Sequence, residues 1–152
     1  DGILDGWAAM DGIGLVGRVS GVGERSSRVL LLTDASSRVP VTVQPSGQRG
    51  LIIGDNTLAP PIDFVENRDV IRPGDRVVSS GDGDVFPSGV LIGHIAVDTG
   101  GRMRVRLAAD YERLEFLRIL RNYGTERISD PGRMVLPEVL PETAATEAAA
   151  ND

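Results

Sequence analysis

The sequence contains no cysteine and only one histidine among its 152 residues. Without cysteine, the chain can form no disulfide, use no thiol nucleophile and bind no metal through thiolates. The single histidine, His94, cannot build a zinc site without cysteine partners. We therefore expect neither a bound metal nor another cofactor.

Lysine is also absent, so all 16 basic residues are arginines, and 22 acidic residues outnumber them. Residues 138–152 contain four acidic residues and no arginine, so the rest of the chain has a net charge of only −2. Scattered arginines on a near-neutral body do not form the basic stripe that nucleic-acid binding requires. We expect no nucleic-acid partner.

Long apolar runs are missing as well. Runs such as residues 29–32 and 90–92 are far shorter than the roughly 20 residues that span a bilayer. The chain starts at Asp1 and not at a methionine. We therefore expect a fragment or a processed form, with any signal or membrane anchor lying upstream.

Aromatic residues make up only 4% of the chain, so the core must be built from Val, Ile and Leu, which favour strands. Glycine and proline divide the sequence into short segments, and polar and apolar residues alternate in most of them. Pro40 predicts an edge strand or a bulge, and residues 98–101 predict a hairpin turn. The predicted strands are residues 15–19, 28–33, 38–43, 50–53, 62–65, 76–79, 90–97 and 102–107. Residues 114–120 fit the strand and helix periods poorly, and we interpret them as a further strand, with a helical turn as the alternative. The pattern predicts an all-β fold.

Two motifs that suggest ligand binding have simpler interpretations. Residues 12–17 match the G-x-G-x-x-G dinucleotide fingerprint, which works only when a helix follows it. Residues 18–23 are rich in valine and glycine, so we interpret the glycines as turn and strand residues. Asp75, Asp82 and Asp84 lack the ligand spacing of a calcium loop, and we interpret them as turn residues.

His94 is the only candidate for a catalytic base. A chymotrypsin-like triad follows the chain order His, Asp, Ser, and the only serine after His94 is Ser129, at the start of the C-terminal segment. The nearest match to that family's nucleophile motif, residues 80–84, precedes His94 and has no serine at the nucleophile position. We predict no catalytic residue and no enzyme activity.

Phe86 and Pro87 lie in a glycine-rich turn between two predicted strands. An aromatic residue in such a turn either plugs the bottom of a barrel or is presented to a partner. Our hypothesis is that Val85, Phe86 and Pro87 form an apolar partner contact rimmed by arginines. Trp7 is expected to pack the start of the chain onto the first barrel.

Several segments, in order from about Gly12 to Leu120, resemble the MreC family of cell shape-determining proteins. They are residues 14–19, 27–34, 36–51, 69–81, 85–93 and 113–117. The most specific is the stretch from Gly74 to Gly89, which is similar to the family's G-D-x-V-x-(T/S)-S-G followed by F-P-x-G. From about Tyr123 the chain carries no such resemblance.

The resemblance implies two small six-stranded β-barrels, chymotrypsin-like in architecture but non-catalytic. Residues 1–33 and 103–123 would form the first barrel, residues 34–102 the second, and residues 124–152 a C-terminal tail rich in Pro, Ala and Glu. It also implies a coiled coil and a single membrane span upstream. The barrels would then lie on the periplasmic side of the inner membrane.

In function, the resemblance implies a scaffold of the cell-elongation (rod) complex that self-assembles into oligomers or filaments. Its implied partners are the elongation-specific class B penicillin-binding protein, MreD and RodA, with cytoplasmic MreB as an indirect partner. Two alternatives stay open. A serine or carboxylate beside His94 would favour a degenerate hydrolase on a double barrel, and a deep closed pocket would favour a periplasmic ligand-binding barrel.

Overall fold

The computed structural model describes residues 2–84 and 86–122. The described residues belong to one compact unit, which ends at Asn122. The predicted tail and Ser129 lie outside the described residues. The described strands are β1 (Ala8–Met10), β2 (Leu15–Val22), β3 (Ser27–Leu31), β4 (Arg38–Gln44), β5 (Gln48–Ile53), β6 (Ile62–Asp63), β7 (Arg76–Ser79), β8 (Leu91–Val97), β9 (Met103–Leu107) and β10 (Arg118–Leu120), with short 3-10 turns at Arg68–Val70 and Asp82–Asp84.

The strands form two antiparallel sheets. The first has the order β10-β1-β2-β3, and the second has the order β6-β5-β4-β7-β8-β9. Pro61 bridges to Arg104 in β9, and the N–H of Val105 donates to the carbonyl of Pro60 at 2.9 Å. The ends of the second sheet therefore approach each other, and the sheet is a nearly closed six-stranded barrel. The all-β prediction is confirmed.

Two-residue alternation places the apolar side chains of these strands inside. In β9, Met103, Val105 and Leu107 are buried and the intervening arginines face outward. In β4, the three valines are fully buried. Ala8, Leu15 and Leu32 join these residues in one apolar cluster, so both sheets contribute to a common core.

The strand pairing differs from the expected division of the chain at one point. Residues 103–107 were assigned to the first barrel, but β9 pairs with β8 in the second sheet. The reason is local, because residues 98–101 form the tight turn of a β8–β9 hairpin, in which the N–H of Gly101 donates to the carbonyl of Asp98 at 3.0 Å. Only β10, within 103–123, returns to the first sheet, beside β1. The division into two barrels stays a prediction.

The prediction for Pro40 is wrong, because β4 lies inside the sheet between β5 and β7. The pairing of β4 with β7 begins only at Val41, opposite Ser79. The carbonyl of Pro40 accepts from the N–H of Ser80, so the proline nitrogen faces the β7 side just beyond the end of that ladder. The missing donor therefore costs no strand hydrogen bond, which is what normally excludes proline from interior strands.

Candidate partner-binding surface

The loop between β7 and β8 carries the residues predicted to contact a partner. Phe86 is only 4% exposed and packs into the apolar core, whereas Pro87 is half-buried. Val85 lies outside the described residues. The phenyl ring therefore supports the loop from inside, in agreement with the plug alternative. The partner contact of Val85, Phe86 and Pro87 stays a prediction.

Ser79, at the end of β7, fixes this loop and was missed by sequence reasoning. Its side chain is buried, with 1% of the residue exposed. Its hydroxyl donates to the carbonyl of Pro87 and accepts from the N–H of Val90 at 3.0 Å. Its backbone carbonyl accepts from Gly89 at 2.8 Å. The buried Ser79 hydroxyl thus has hydrogen-bond partners, as buried polar groups generally do. The same residue also provides hydrogen bonds to both ends of the turn.

The aspartates near this loop act as local structural residues. The carboxylate of Asp75 accepts from the N–H of Arg72 at 2.8 Å. Asp82 accepts from the hydroxyl of Ser80 at 3.0 Å and forms an exposed ion pair with Arg49 at 3.4 Å. The side chain of Asp84 is not described. In residues 2–84 and 86–122, no group of three or more His, Cys, Asp or Glu residues is arranged to hold a metal.

His94 lies exposed on the outer face of β8. Its neighbours across the strands are Arg76 in β7 and Arg106 in β9. Within the described part of the chain, no serine or carboxylate lies within hydrogen-bonding distance of His94. The geometry therefore gives no support to the hydrolase alternative, which needs a nucleophile or an orienting group at the base.

Residues 12–17 lead into a strand. Leu15 already belongs to β2, which continues to Val22. The carboxylate of Asp11 accepts from the N–H groups of Ile13 at 2.7 Å and Gly14 at 2.8 Å. The motif therefore forms a turn closed by Asp11, without the helix N-terminus that a pyrophosphate needs.

Arg104, on the outer face of β9, is the centre of an ionic network with two aspartates. Its Nη1 donates to Asp55 at 2.9 Å and to the carbonyl of Ala59 at 3.0 Å. Its Nε donates to Asp98 at 3.0 Å, and this hydrogen bond lowers the pKa of the Asp98 carboxyl. Burial acts to raise the pKa of Asp55, but hydrogen bonds from Thr57 and Arg104 bring it below its ordinary value. The network joins the 55–59 loop to the β8–β9 hairpin.

The described surface offers shallow clefts. Four of them have volumes between 280 and 460 Å³, and each is lined in part by charged side chains. The interior of the second barrel is filled by apolar residues such as Val41, Ile52 and Val105. These features favour contact through the outer surface over enclosure of a small ligand.

Two phenylalanines project from this surface. Phe64, directly after β6, is 76% exposed, and Phe116, before β10, is 85% exposed. Sequence reasoning assigned neither to a partner site. Phe64 also has a positive φ of 62°, which a sequence pattern does not reveal.

No helix among the described residues is long and apolar enough to cross a membrane.

A family model described as the rod shape-determining protein MreC, barrel core, matches residues 1–121. The cell shape-determining protein MreC of Cereibacter sphaeroides is 63% identical over 150 residues, covering 98% of this chain and 50% of the relative. Its counterpart from Caulobacter vibrioides is 39% identical over 153 residues, covering 99% of this chain and 44% of the relative. The chain thus spans about half the length of the curated relatives it matches.

Solved structures agree with these matches. A crystal structure of MreC from Pseudomonas aeruginosa has a TM-score of 0.70 at 30% identity, covering 80% of this chain and 83% of that one. A structure described as the major periplasmic domain from the cell shape-determining filament MreC has a TM-score of 0.62 at 29% identity, with 72% and 74% covered. A complex between Penicillin-Binding Protein (PBP2) and MreC from Helicobacter pylori has a TM-score of 0.51 at 18% identity, with 69% and 66% covered, and shows likeness of fold alone.

Proposed function

The chain belongs to the MreC family of cell shape-determining proteins, and on that premise we propose that it is a non-enzymatic scaffold of the cell-elongation complex. In this proposal it binds the elongation-specific class B penicillin-binding protein and activates peptidoglycan synthesis. The observation that carries the proposal is the match of the family's barrel core across residues 1–121. The complex of a related MreC with PBP2 supports the choice of partner.

The scaffold would lie on the periplasmic side of the inner membrane, single-pass anchored in the full-length protein, and would self-assemble into oligomers or filaments. The likeness to a periplasmic domain described as part of a filament supports both points. MreD and RodA would be further partners, and MreB an indirect one.

The described surface is suited to this role. Its clefts are partly charged, and the exposed rings of Phe116 and Phe64 line two of them. Protein interfaces are enriched in aromatic residues and arginine. The 85–87 loop would contribute through Pro87 and its exposed neighbour Ser88, while Phe86 holds the loop in place from the core.

The test is a binding titration between this chain and the periplasmic part of the elongation-specific class B synthase from the same genome. The division-specific class B synthase serves as the control partner. We expect saturable binding to the first and at least about tenfold weaker binding to the second, a difference of about 1.4 kcal/mol. Equal or absent binding to both would refute the proposal.

The same proteins serve to test the contribution of the 85–87 loop to synthase binding and the self-assembly of the chain. Pro87→Asp keeps the backbone carbonyl that Ser79 uses and places a charge on the loop surface, so it should weaken synthase binding while leaving the fold intact. Unchanged binding by this folded variant would remove the loop from the interface. Light scattering over a concentration series measures self-assembly, and a monomer at every concentration would count against it.

A further inference from the structure

Phe64 combines an unfavourable backbone conformation with an exposed apolar side chain. Its φ is 62°, in the left-handed region that bulky residues rarely adopt. Its side chain is 76% exposed. Asn56 is the other non-glycine residue with a positive φ in residues 2–84 and 86–122, and asparagine tolerates that region well. Phe64 is therefore the unusual case.

The left-handed residue decides which side chain enters the core. Ile62 is buried, and Val65, partly buried, packs against the same core. Both lie over Gly50, where an added Cβ would be 2.9 Å from the Ile62 side chain and 3.1 Å from that of Val65. Continued two-residue alternation would turn residue 64 inward after Ile62. The turn of the backbone at Phe64 brings Val65 inward instead and directs the ring to solvent.

The segment after the ring is also fixed. The side-chain oxygen of Gln48 in β5 accepts from the N–H of Asn67 at 3.1 Å, so residues 64–67 are tied back to the sheet. The exposed ring is thus presented by a held segment. Stability alone does not explain it, because the backbone is strained and little of the ring is buried. Strain of this kind is commonly retained at binding and switch positions.

We propose that Phe64 is an anchor residue that inserts into an apolar pocket of the partner synthase, an inference that rests on the proposed function. The ring borders an open cleft of about 280 Å³ together with Arg49 and Glu66. Phenylalanine and arginine are both enriched in the buried centres of protein interfaces. The pocket that receives the ring would carry polar groups at its rim, matching Arg49 and Glu66.

The charges around Phe64 argue against a membrane surface as the occupant. Asp63 and Glu66 flank the ring along the chain, and Asp69 follows them. Asp63 is 3.6 Å from Arg102 and Arg49 is 3.4 Å from Asp82, which leaves Glu66 and Asp69 with Arg68. An anionic bilayer attracts surfaces with a clear excess of positive charge, and this one has none.

A second copy of the chain is also disfavoured. A phenyl ring needs an apolar recess, whereas four of the described clefts contain charged side chains, such as Glu24 and Arg25 in one and Arg28 and Asp34 in another. These two clefts are lined by charged as well as apolar side chains, so neither is a fully apolar recess for the ring. A different protein is therefore the better fit.

The test uses the full chain with Phe64→Asn, which removes the ring and suits the left-handed backbone. Phe116→Asn is the matched control, because Phe116 is also largely exposed but does not have a positive φ. We expect Phe64→Asn to bind the class B synthase at least about tenfold more weakly, and its melting temperature to rise by about 3 °C. Phe116→Asn should change neither, and Phe64→Tyr should bind like the unmodified chain.

Each other result counts against the proposal. If the unmodified chain binds the synthase and Phe64→Asn binds equally well, the anchor is refuted and the proposed function stands. If the unmodified chain does not bind, the proposed function and the anchor both fail. Loss of self-association, or of binding to anionic lipid vesicles, with synthase binding intact would show that the ring serves a second copy or a membrane, and would overturn the choice of partner.

Discussion

Replacing Phe86 with alanine should destabilise the protein strongly, although the residue lies in a loop. The ring is 4% exposed and belongs to the core cluster that both sheets share. Removing a buried phenylalanine side chain typically costs about 3–5 kcal/mol. Domains of this size have total stabilities of about 5–15 kcal/mol. Phe86→Ala should therefore remain largely folded in buffer while losing a large part of its stability.

The measurement is equilibrium unfolding in urea. Trp7 is the only tryptophan and is buried directly before β1, so its fluorescence should change on unfolding. Far-UV circular dichroism follows the strands of both sheets. With an m-value of about 2 kcal/mol per molar urea, the midpoint should fall by about 2 M. Pro87→Ala is the control from the same loop. It keeps the carbonyl that accepts from Ser79 and should cost less than about 1 kcal/mol.

A loss below about 1 kcal/mol for Phe86→Ala would refute this reasoning, because a ring that contributes so little cannot be part of a packed core. The plug alternative would then fail, and direct contact of Phe86 with a partner would regain support. The expected result has a practical consequence. Substitutions of Phe86 would weaken partner binding by unfolding the loop, so the interface must be probed at Pro87 or Ser88.

Three further changes test the internal structure. Ser79→Ala leaves the partly buried Pro87 carbonyl and Val90 N–H without the hydroxyl and should cost about 1–3 kcal/mol by thermal melting; no loss would contradict the role of Ser79. Gly93→Ala places a Cβ against the backbone carbonyl of Arg106, and urea unfolding should show a loss of about 3 kcal/mol. The carboxyl pKa values of Asp55 and Asp98 are lowered in the folded protein, so the two ionised carboxylates stabilise the fold at pH values above their unfolded pKa. Protonation on acidification removes this stabilisation, and the urea midpoint should therefore decrease as the pH is lowered below about 4. A midpoint constant from pH 6 to 3 would contradict this.

Most strands could be predicted because their signal is local. The alternation of arginine with Met, Val and Leu in β9 fixes both the strand and its buried face, and residues 98–101 predict the hairpin turn that joins it to β8. The strands β4, β7 and β8 also lie where the sequence places them. In each case the deciding residues are neighbours along the chain.

Pairing between distant strands was harder to predict. The sequence places Pro40 in a strand but does not show that β4 lies between β5 and β7, or that the β7 ladder ends just before the proline. Likewise, the irregular segment 114–120 forms a strand only at β10, where pairing with β1 stabilises it. Such partners are set by packing of the whole core, which local propensity only weakly anticipates.

The candidate site was predicted least well because the same residue type has opposite roles at two loops. The glycine-rich turn around Phe86 suggested that its ring contacts a partner. In the structure, the hydroxyl of Ser79 holds that turn and the ring packs in the core. Phe64 was predicted to lie in the same strand as Ile62. Its left-handed φ instead directs the Phe64 ring to solvent and the Val65 side chain to the core. Hydropathy assigns all these side chains to the interior, and only backbone conformation separates the supporting ring from the presented one. An apolar residue that is exposed, and whose backbone adopts an unfavourable conformation, is therefore the better candidate for a partner contact in this barrel. An aromatic residue that only lies in a loop is the weaker candidate.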